Sequence, residues 1–112
     1  MGSEMCIRDS PNSIRDAITD RTKAAVLVHL YGQPVKREAI SVVQDAGLGL
    51  IEDCAQAHGA RIDGRSIGSF GDIATFSFFP SKNMGVGGDG GMILTNREDL
   101  IEPMQMLSLI HI

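Results

Sequence analysis

Ala24-Ala25-Val26-Leu27-Val28, followed twenty residues later by Leu48-Gly49-Leu50-Ile51-Glu52-Asp53, is the part of the sequence that decides the fold. The first run is apolar without interruption, the pattern of a short strand buried on both faces of a sheet. His29-Leu30-Tyr31-Gly32-Gln33-Pro34 breaks it at a glycine and a proline. Val35 to Ala46 then carries Val35, Ala39, Ile40, Val42 and Val43 as one apolar stripe, an amphipathic helix closed by Gly47. Leu48 to Glu52 is a second short strand running into Asp53. Strand, helix and strand at this spacing form a right-handed βαβ unit, so the fold class is α/β with a mostly parallel sheet flanked by helices.

Outward from this unit the pattern continues. Upstream, Asn12 or Ser13 is positioned to cap a short helix through Ile14, Ala17 and Ile18. Downstream, Arg61-Ile62-Asp63-Gly64-Arg65 reads as a small hairpin or loop, Ile73 to Phe79 as a third strand and Gly91 to Thr95 as a fourth. Asn96 is placed to cap a last helix from Arg97 onward.

The 112 residues hold one domain at most, and a composition 43% apolar and 21% charged is that of an ordinary globular protein. A net charge of −4 with no basic cluster argues against nucleic acid as partner. No apolar run reaches the roughly 18–20 residues of a membrane span. Cys6 and Cys54 are too few for a disulfide framework, and no basic flank leads into an apolar N-terminal segment; the expected setting is reducing and cytoplasmic.

The two ends match neither pattern nor chemistry of the middle. Met5-Cys6-Ile7-Arg8-Asp9-Ser10 and Leu107-Ser108-Leu109-Ile110-His111-Ile112 back-translate into reverse-complementary strings resembling a transposon end used as a sequencing adapter. Residues 1–10 and 107–112 are therefore expected to be non-native, and residues 11–106 an internal piece of a longer protein.

Chemistry concentrates around Phe76-Ser77-Phe78-Phe79-Pro80-Ser81-Lys82-Asn83-Met84-Gly85. A strand too apolar for a surface ribbon stops at a proline and delivers one lysine onto a glycine-rich turn. Such an amine can form a Schiff base with a carbonyl cofactor. Gly85-Val86-Gly87-Gly88-Asp89-Gly90 satisfies G-x-G-x-x-G, but it leads into a strand instead of opening a helix, so the glycines read as tight-turn residues needing positive φ. Asp53, Cys54 and His58, with His29 nearby, raise a metal site or a Cys–His pair. Neither C-x-x-C nor H-E-x-x-H spacing occurs, so no metal is expected and Cys54 reads as a small core residue. Asp53 stands at the carboxyl end of a strand, where parallel α/β sheets bind ligands; its alternative is a helix N-cap for Ala55 to Ala57. A carboxylate and a Schiff-base lysine are the minimum set for pyridoxal phosphate, the acid pairing with the ring nitrogen.

His29 to Pro34, Glu52-Asp53-Cys54-Ala55-Gln56-Ala57-His58-Gly59-Ala60, Gly68-Ser69-Phe70-Gly71-Asp72, Thr75 to Gly85 and Gly88 to Asn96 together closely resemble the DegT/DnrJ/EryC1/StrS family. The resemblance covers residues 11–106 and implies a fragment of the large domain of a fold type I, pyridoxal 5'-phosphate-dependent sugar aminotransferase. It implies Lys82 as the Schiff-base lysine and proton shuttle, Asp53 as partner of the pyridine nitrogen, Gln56 beside the phenolic oxygen and Ser77 at the phosphate. It further implies a nucleotide-linked keto-sugar substrate, glutamate as amino donor, a role in polysaccharide biosynthesis and a homodimeric parent. Related sugar dehydratases carry histidine where Lys82 stands, which favours transamination; a non-catalytic regulatory or sensor protein is the other alternative. The upstream phosphate-binding loop, the aromatic residue stacking on the ring and the small domain are absent from the chain, so the fragment alone is expected to be inactive.

Overall fold

The computed structural model describes residues 10–82 and 84–110. Most of Met5–Ser10, together with Asn83, His111 and Ile112, lies outside them.

In chain order the elements are helix α1 (Pro11–Ala17), strand β1 (Ala24–Val28), helix α2 (Arg37–Asp45), strand β2 (Gly49–Asp53), the short strands β3 (Arg61–Ile62) and β4 (Arg65–Ser66), strands β5 (Ile73–Ser77) and β6 (Gly91–Thr95), a 3₁₀ turn (Glu98–Leu100) and helix α3 (Ile101–Ile110). The βαβ unit forms as its sequence pattern demands. β1 and β2 pair in parallel from Ala24 opposite Gly49 to Val28 opposite Asp53, with α2 between them in the chain. Ala39, Ile40 and Val43 of α2 are buried. They meet Leu27, Leu50 and Ala74 from alternate positions of three strands.

The main sheet has the order β1-β2-β5-β6. β5 pairs parallel to β2, whereas β6 runs antiparallel to β5, so the sheet is mixed at one edge. A parallel return is usually made through a helix. The glycine-rich connection instead turns back directly, held by Phe78 N–H on the Gly90 carbonyl (2.8 Å) and Val86 N–H on the Phe78 carbonyl (2.9 Å). β3 and β4 form the expected hairpin, turning through Asp63 (φ 49°) and Gly64 (φ 78°), the two positive values of a type I′ turn.

Several expectations are corrected. β1 is buried on one face only: Leu27 is 8% exposed, but Val26 and Val28 on the other face are 59% and 43% exposed. Among the described residues α1 and α2 cover only the face that carries Leu27. Ser10 occupies the cap position of α1 without a side-chain cap bond, with Pro11 at the first helical position where its missing N–H is harmless; Asn12 accepts a bond from the Arg15 guanidinium (2.9 Å). Asn96 caps nothing, because the Thr95 hydroxyl accepts the Arg97 N–H (3.0 Å) and the 3₁₀ turn starts after Arg97. The glycines from Gly85 to Gly91 do not adopt left-handed φ. Gly85 is required by closeness, since a Cβ there would lie 2.6 Å from the Pro80 carbonyl oxygen.

Candidate active site

The parallel strands β1, β2 and β5 end at one edge of the sheet, and each sends its continuing loop to a shared cavity. After β1 comes Tyr31-Gly32, after β2 Ala55-Gln56, after β5 Ser81-Lys82; these six residues line a space of about 290 Å³. Ligands of open α/β sheets bind at this edge because the loops there are free to vary while the strands hold them in place. Lys82 is half-buried, on a turn closed by its own N–H to the Phe79 carbonyl (2.8 Å). Among the described residues no carboxylate lies within ion-pair distance of its amine.

The sequence-predicted residues divide into two groups. Lys82 and Gln56 are brought together in the cavity. Asp53 and Ser77 are not among its lining; they occupy the open face of the sheet at the same edge. Register places Asp53 between Val28 and Thr75, with Ser77 two residues further along β5 opposite Gly91. Asp53 Oδ1 accepts the Ala55 N–H (3.1 Å), the contact of a cap, but Ala55 to Ala57 form turns and no helix. Ser77 Oγ accepts the Phe79 N–H at a long 3.4 Å.

The Tyr31-Gly32 turn has left-handed φ at both residues (54° and 76°), closed by a reciprocal pair of bonds between Leu30 and Gln33 (3.1 and 3.0 Å). Gly32 N–H then donates to the Gln56 carbonyl (2.8 Å), tying two cavity walls together. A tyrosine in this backbone region is strained and persists where its surroundings fix it. Its side chain is 76% exposed at the cavity rim. No local signal in the sequence announces this conformation.

Beneath the sheet, His29 and Glu52 form a pair with no solvent exposure, Nε2 to Oε1 at 3.0 Å. The sequence contains a signal for it: Glu52 has the same strand parity as buried Leu50. Burial alone would push the Glu52 carboxyl up, but the hydrogen bonds from His29 and the backbone N–H groups of Gly68, Gly71 and Phe70 together hold it below 4.5. With Cys54 these residues place donor atoms within 4.8 Å of one another, a spacing compatible with an ion. The chemistry is otherwise committed, since both His29 nitrogens and both Glu52 oxygens are hydrogen-bonded. Burial, with the Glu52 and Asp53 charges, pushes the Cys54 thiol up to about 12, so it stays protonated as a core group. His58 does not join this set; its ring packs against Phe76 and Phe78, centroids 5.7 Å away in each case.

An α/β segment whose three parallel strand ends converge on a lysine- and amide-lined cavity has the form of a small-molecule site. The family model described as the DegT/DnrJ/EryC1/StrS aminotransferase family matches residues 3–111, and the chain belongs to that family. One relative, UDP-N-acetyl-3-dehydro-alpha-D-glucosamine 3-aminotransferase of Acidithiobacillus ferrooxidans, is 58% identical over 88 residues, 78% of this chain and 24% of its own length. A pleiotropic regulatory protein of Geobacillus stearothermophilus is 48% identical over 98 residues, 87% of this chain and 26% of its own. The crystal structure of DesV of S. venezuelae, in complex with a ketimine intermediate, superposes with a TM-score of 0.79 at 47% identity, over 88% of this chain and 27% of that one. The fold is thus that of a fold type I aminotransferase, and the chain spans about a quarter of the length of the relatives it matches. No helix among the described residues is long and apolar enough to cross a membrane.

Proposed function

We propose that the full-length protein carrying this segment is a pyridoxal-phosphate-dependent aminotransferase that moves an amino group, from glutamate, onto the keto group of a nucleotide-linked sugar. The observation that carries this reading is the convergence of Lys82 and Gln56 in one cavity at the carboxyl edge of the parallel strands. The cofactor fits the residues present: an amine to hold an aldehyde, an amide beside it, and a carboxylate and a hydroxyl on adjacent strands of the same edge. When bound, pyridoxal phosphate supplies an electron sink for loss of a Cα proton.

The chain's residues divide the remaining work. Lys82 would hold the cofactor through its aldehyde, and its amine would take up and return the proton of the transfer. Asp53 has one oxygen engaged by Ala55 N–H, so the other would be available to keep the pyridine nitrogen protonated. The Gln56 amide would help orient the ring from the cavity wall. Ser77, whose Oγ already accepts a long bond from Phe79, keeps its own proton to donate to the phosphate. Residues 11–106 form the native part of the large domain, residues 1–10 and 107–112 do not belong to it, and the parent acts as a cytoplasmic homodimer.

The test is amino transfer by the full-length protein, with glutamate as donor and nucleotide keto-sugars as acceptors. Wild-type turnover and its loss in Lys82→Ala are expected, with no turnover by the 112-residue chain. Cofactor binding without turnover of any such acceptor would instead favour a regulatory role, the reading suggested by the name of the Geobacillus relative.

A further inference from the structure

Glu52 stands one residue before Asp53, on the opposite face of β2, with no solvent exposure. Its Oε1 accepts hydrogen bonds from His29 Nε2 (3.0 Å) and Gly68 N–H (2.9 Å). Its Oε2 accepts from Phe70 N–H (2.8 Å) and Gly71 N–H (2.7 Å). His29 completes the set by accepting the Val35 N–H on Nδ1 (3.1 Å). That donor requires a lone pair on Nδ1, so the hydrogen of the ring lies on Nε2 and points at Glu52. One carboxylate thereby ties the ends of β1 and β2 to the 68–71 turn.

A buried charge is a poor device for stability as such, because a well-packed apolar residue of similar volume often serves as well or better. Its distinctive property is direction: four bonds with preferred distances and angles restrict how the ends it joins can be arranged. Those ends carry the candidate site. His29 N–H donates to the Asp53 carbonyl (3.0 Å), Cys54 N–H to the Thr75 carbonyl (2.8 Å), and Gly32 N–H to the Gln56 carbonyl (2.8 Å). A shift of Glu52 or His29 is passed on to the backbone of Asp53 and, through the Tyr31-Gly32 turn, to Gln56.

We infer that the His29–Glu52 pair is a positioning device for the cofactor-facing edge, fixing the direction of the Asp53 carboxylate and the seat of Gln56 relative to Lys82. The inference rests on the reading of Asp53 given under Proposed function. Glu52 touches no cofactor itself; it acts through its neighbour on the strand.

The test uses the full-length protein with Glu52→Gln, followed by hydrogen–deuterium exchange and by pyridoxal phosphate titration with borohydride trapping. Exchange is expected to rise several-fold in peptides covering residues 29–35, 52–57 and 68–71. It should stay unchanged at the far end of β2, where Gly49 N–H donates to the Lys23 carbonyl. Cofactor affinity is expected to fall on the order of tenfold, by analogy with the roughly 10–100-fold lost when the hydrogen-bond partner of a metal-binding side chain is removed. Asp53→Asn should then cost less affinity in the Glu52→Gln background than alone, since both act through one group. Equal rises at both ends of β2, or fully independent effects of the two substitutions, would overturn the inference by reducing Glu52 to general stability. Should Glu52→Gln fail to fold, His29→Gln removes one of the four contacts and permits the same comparisons. If Asp53→Asn alone leaves cofactor affinity unchanged, the reading of Asp53 is at fault, and the exchange pattern still decides whether the pair positions the strand end.

Discussion

Replacing Glu52 by glutamine keeps its shape and removes half its acceptors, with a cost that its four bonds define. If the new amide NH₂ takes the place of Oε2, it faces the Phe70 and Gly71 N–H groups, donor against donor. If it takes the place of Oε1, it faces Gly68 N–H and His29 Nε2–H. His29 escapes only by moving its hydrogen to Nδ1, which then opposes the Val35 N–H. Either way two buried donors lose their acceptor, at about 1–3 kcal/mol each, so the loss should be about 2–6 kcal/mol. That is a large part of the roughly 5–15 kcal/mol that holds a domain together. Urea unfolding of the 112-residue chain, monitored by circular dichroism, should show a midpoint lower by about 1–3 M at an unchanged slope of about 2 kcal/mol/M. Glu38→Gln, on the exposed side of α2, serves as control and should stay within about 0.5 kcal/mol of wild type. A Glu52→Gln midpoint equal to that of the control would refute the reasoning.

The same carboxylate sets an acid limit: because its pKa is lowered from 4.5, its contribution is complete above about pH 4.5 and is lost as pH falls through the lower folded-state value. Urea midpoints measured from neutral pH downward should drop in that window, and drop less in Glu52→Gln. Gly71→Ala should destabilise by about 1–3 kcal/mol in thermal melts, because its Cβ would lie 2.8 Å from the Leu50 carbonyl oxygen. Gly87→Ala, with nothing within 4 Å, should be neutral, and equal melting of the two variants would contradict the close approach. With its thiol pKa pushed up to about 12, Cys54 should resist alkylation at pH 8 until the chain unfolds, as read by peptide mass spectrometry; rapid labelling of the native chain would show that it is not enclosed.

The βαβ unit can be read from the residues because its signals are local: the apolar runs around Leu27 and Leu50, the stripe through Ala39, Ile40 and Val43, and the closing Gly47. The cover on each face of a strand is not local. Val26 and Leu27 look alike in sequence, yet only Leu27 meets a helix among the described residues. The same holds for caps, where Asn96 has the right chemistry but the 3₁₀ turn starts after Arg97 and takes no side-chain cap. Glu52 is hard to single out because a charged residue at a strand end ordinarily faces water, and its partners lie 16 to 23 residues away. The glycine loop suggests a backbone conformation by its composition, whereas its need is space, at Gly85 beside Pro80. At the site, Lys82 and Gln56 meet in one cavity, while Asp53 lies on the adjoining open face of the sheet, a separation that strand-end positions alone do not reveal.

The central claim turns on Lys82. In the full-length protein, borohydride reduction after incubation with pyridoxal phosphate, with peptide mass spectrometry as the readout, should place the cofactor covalently on Lys82 in stoichiometric yield, and Lys82→Ala should abolish it. Cofactor found on another lysine, or none retained by a folded wild-type protein, would contradict the account.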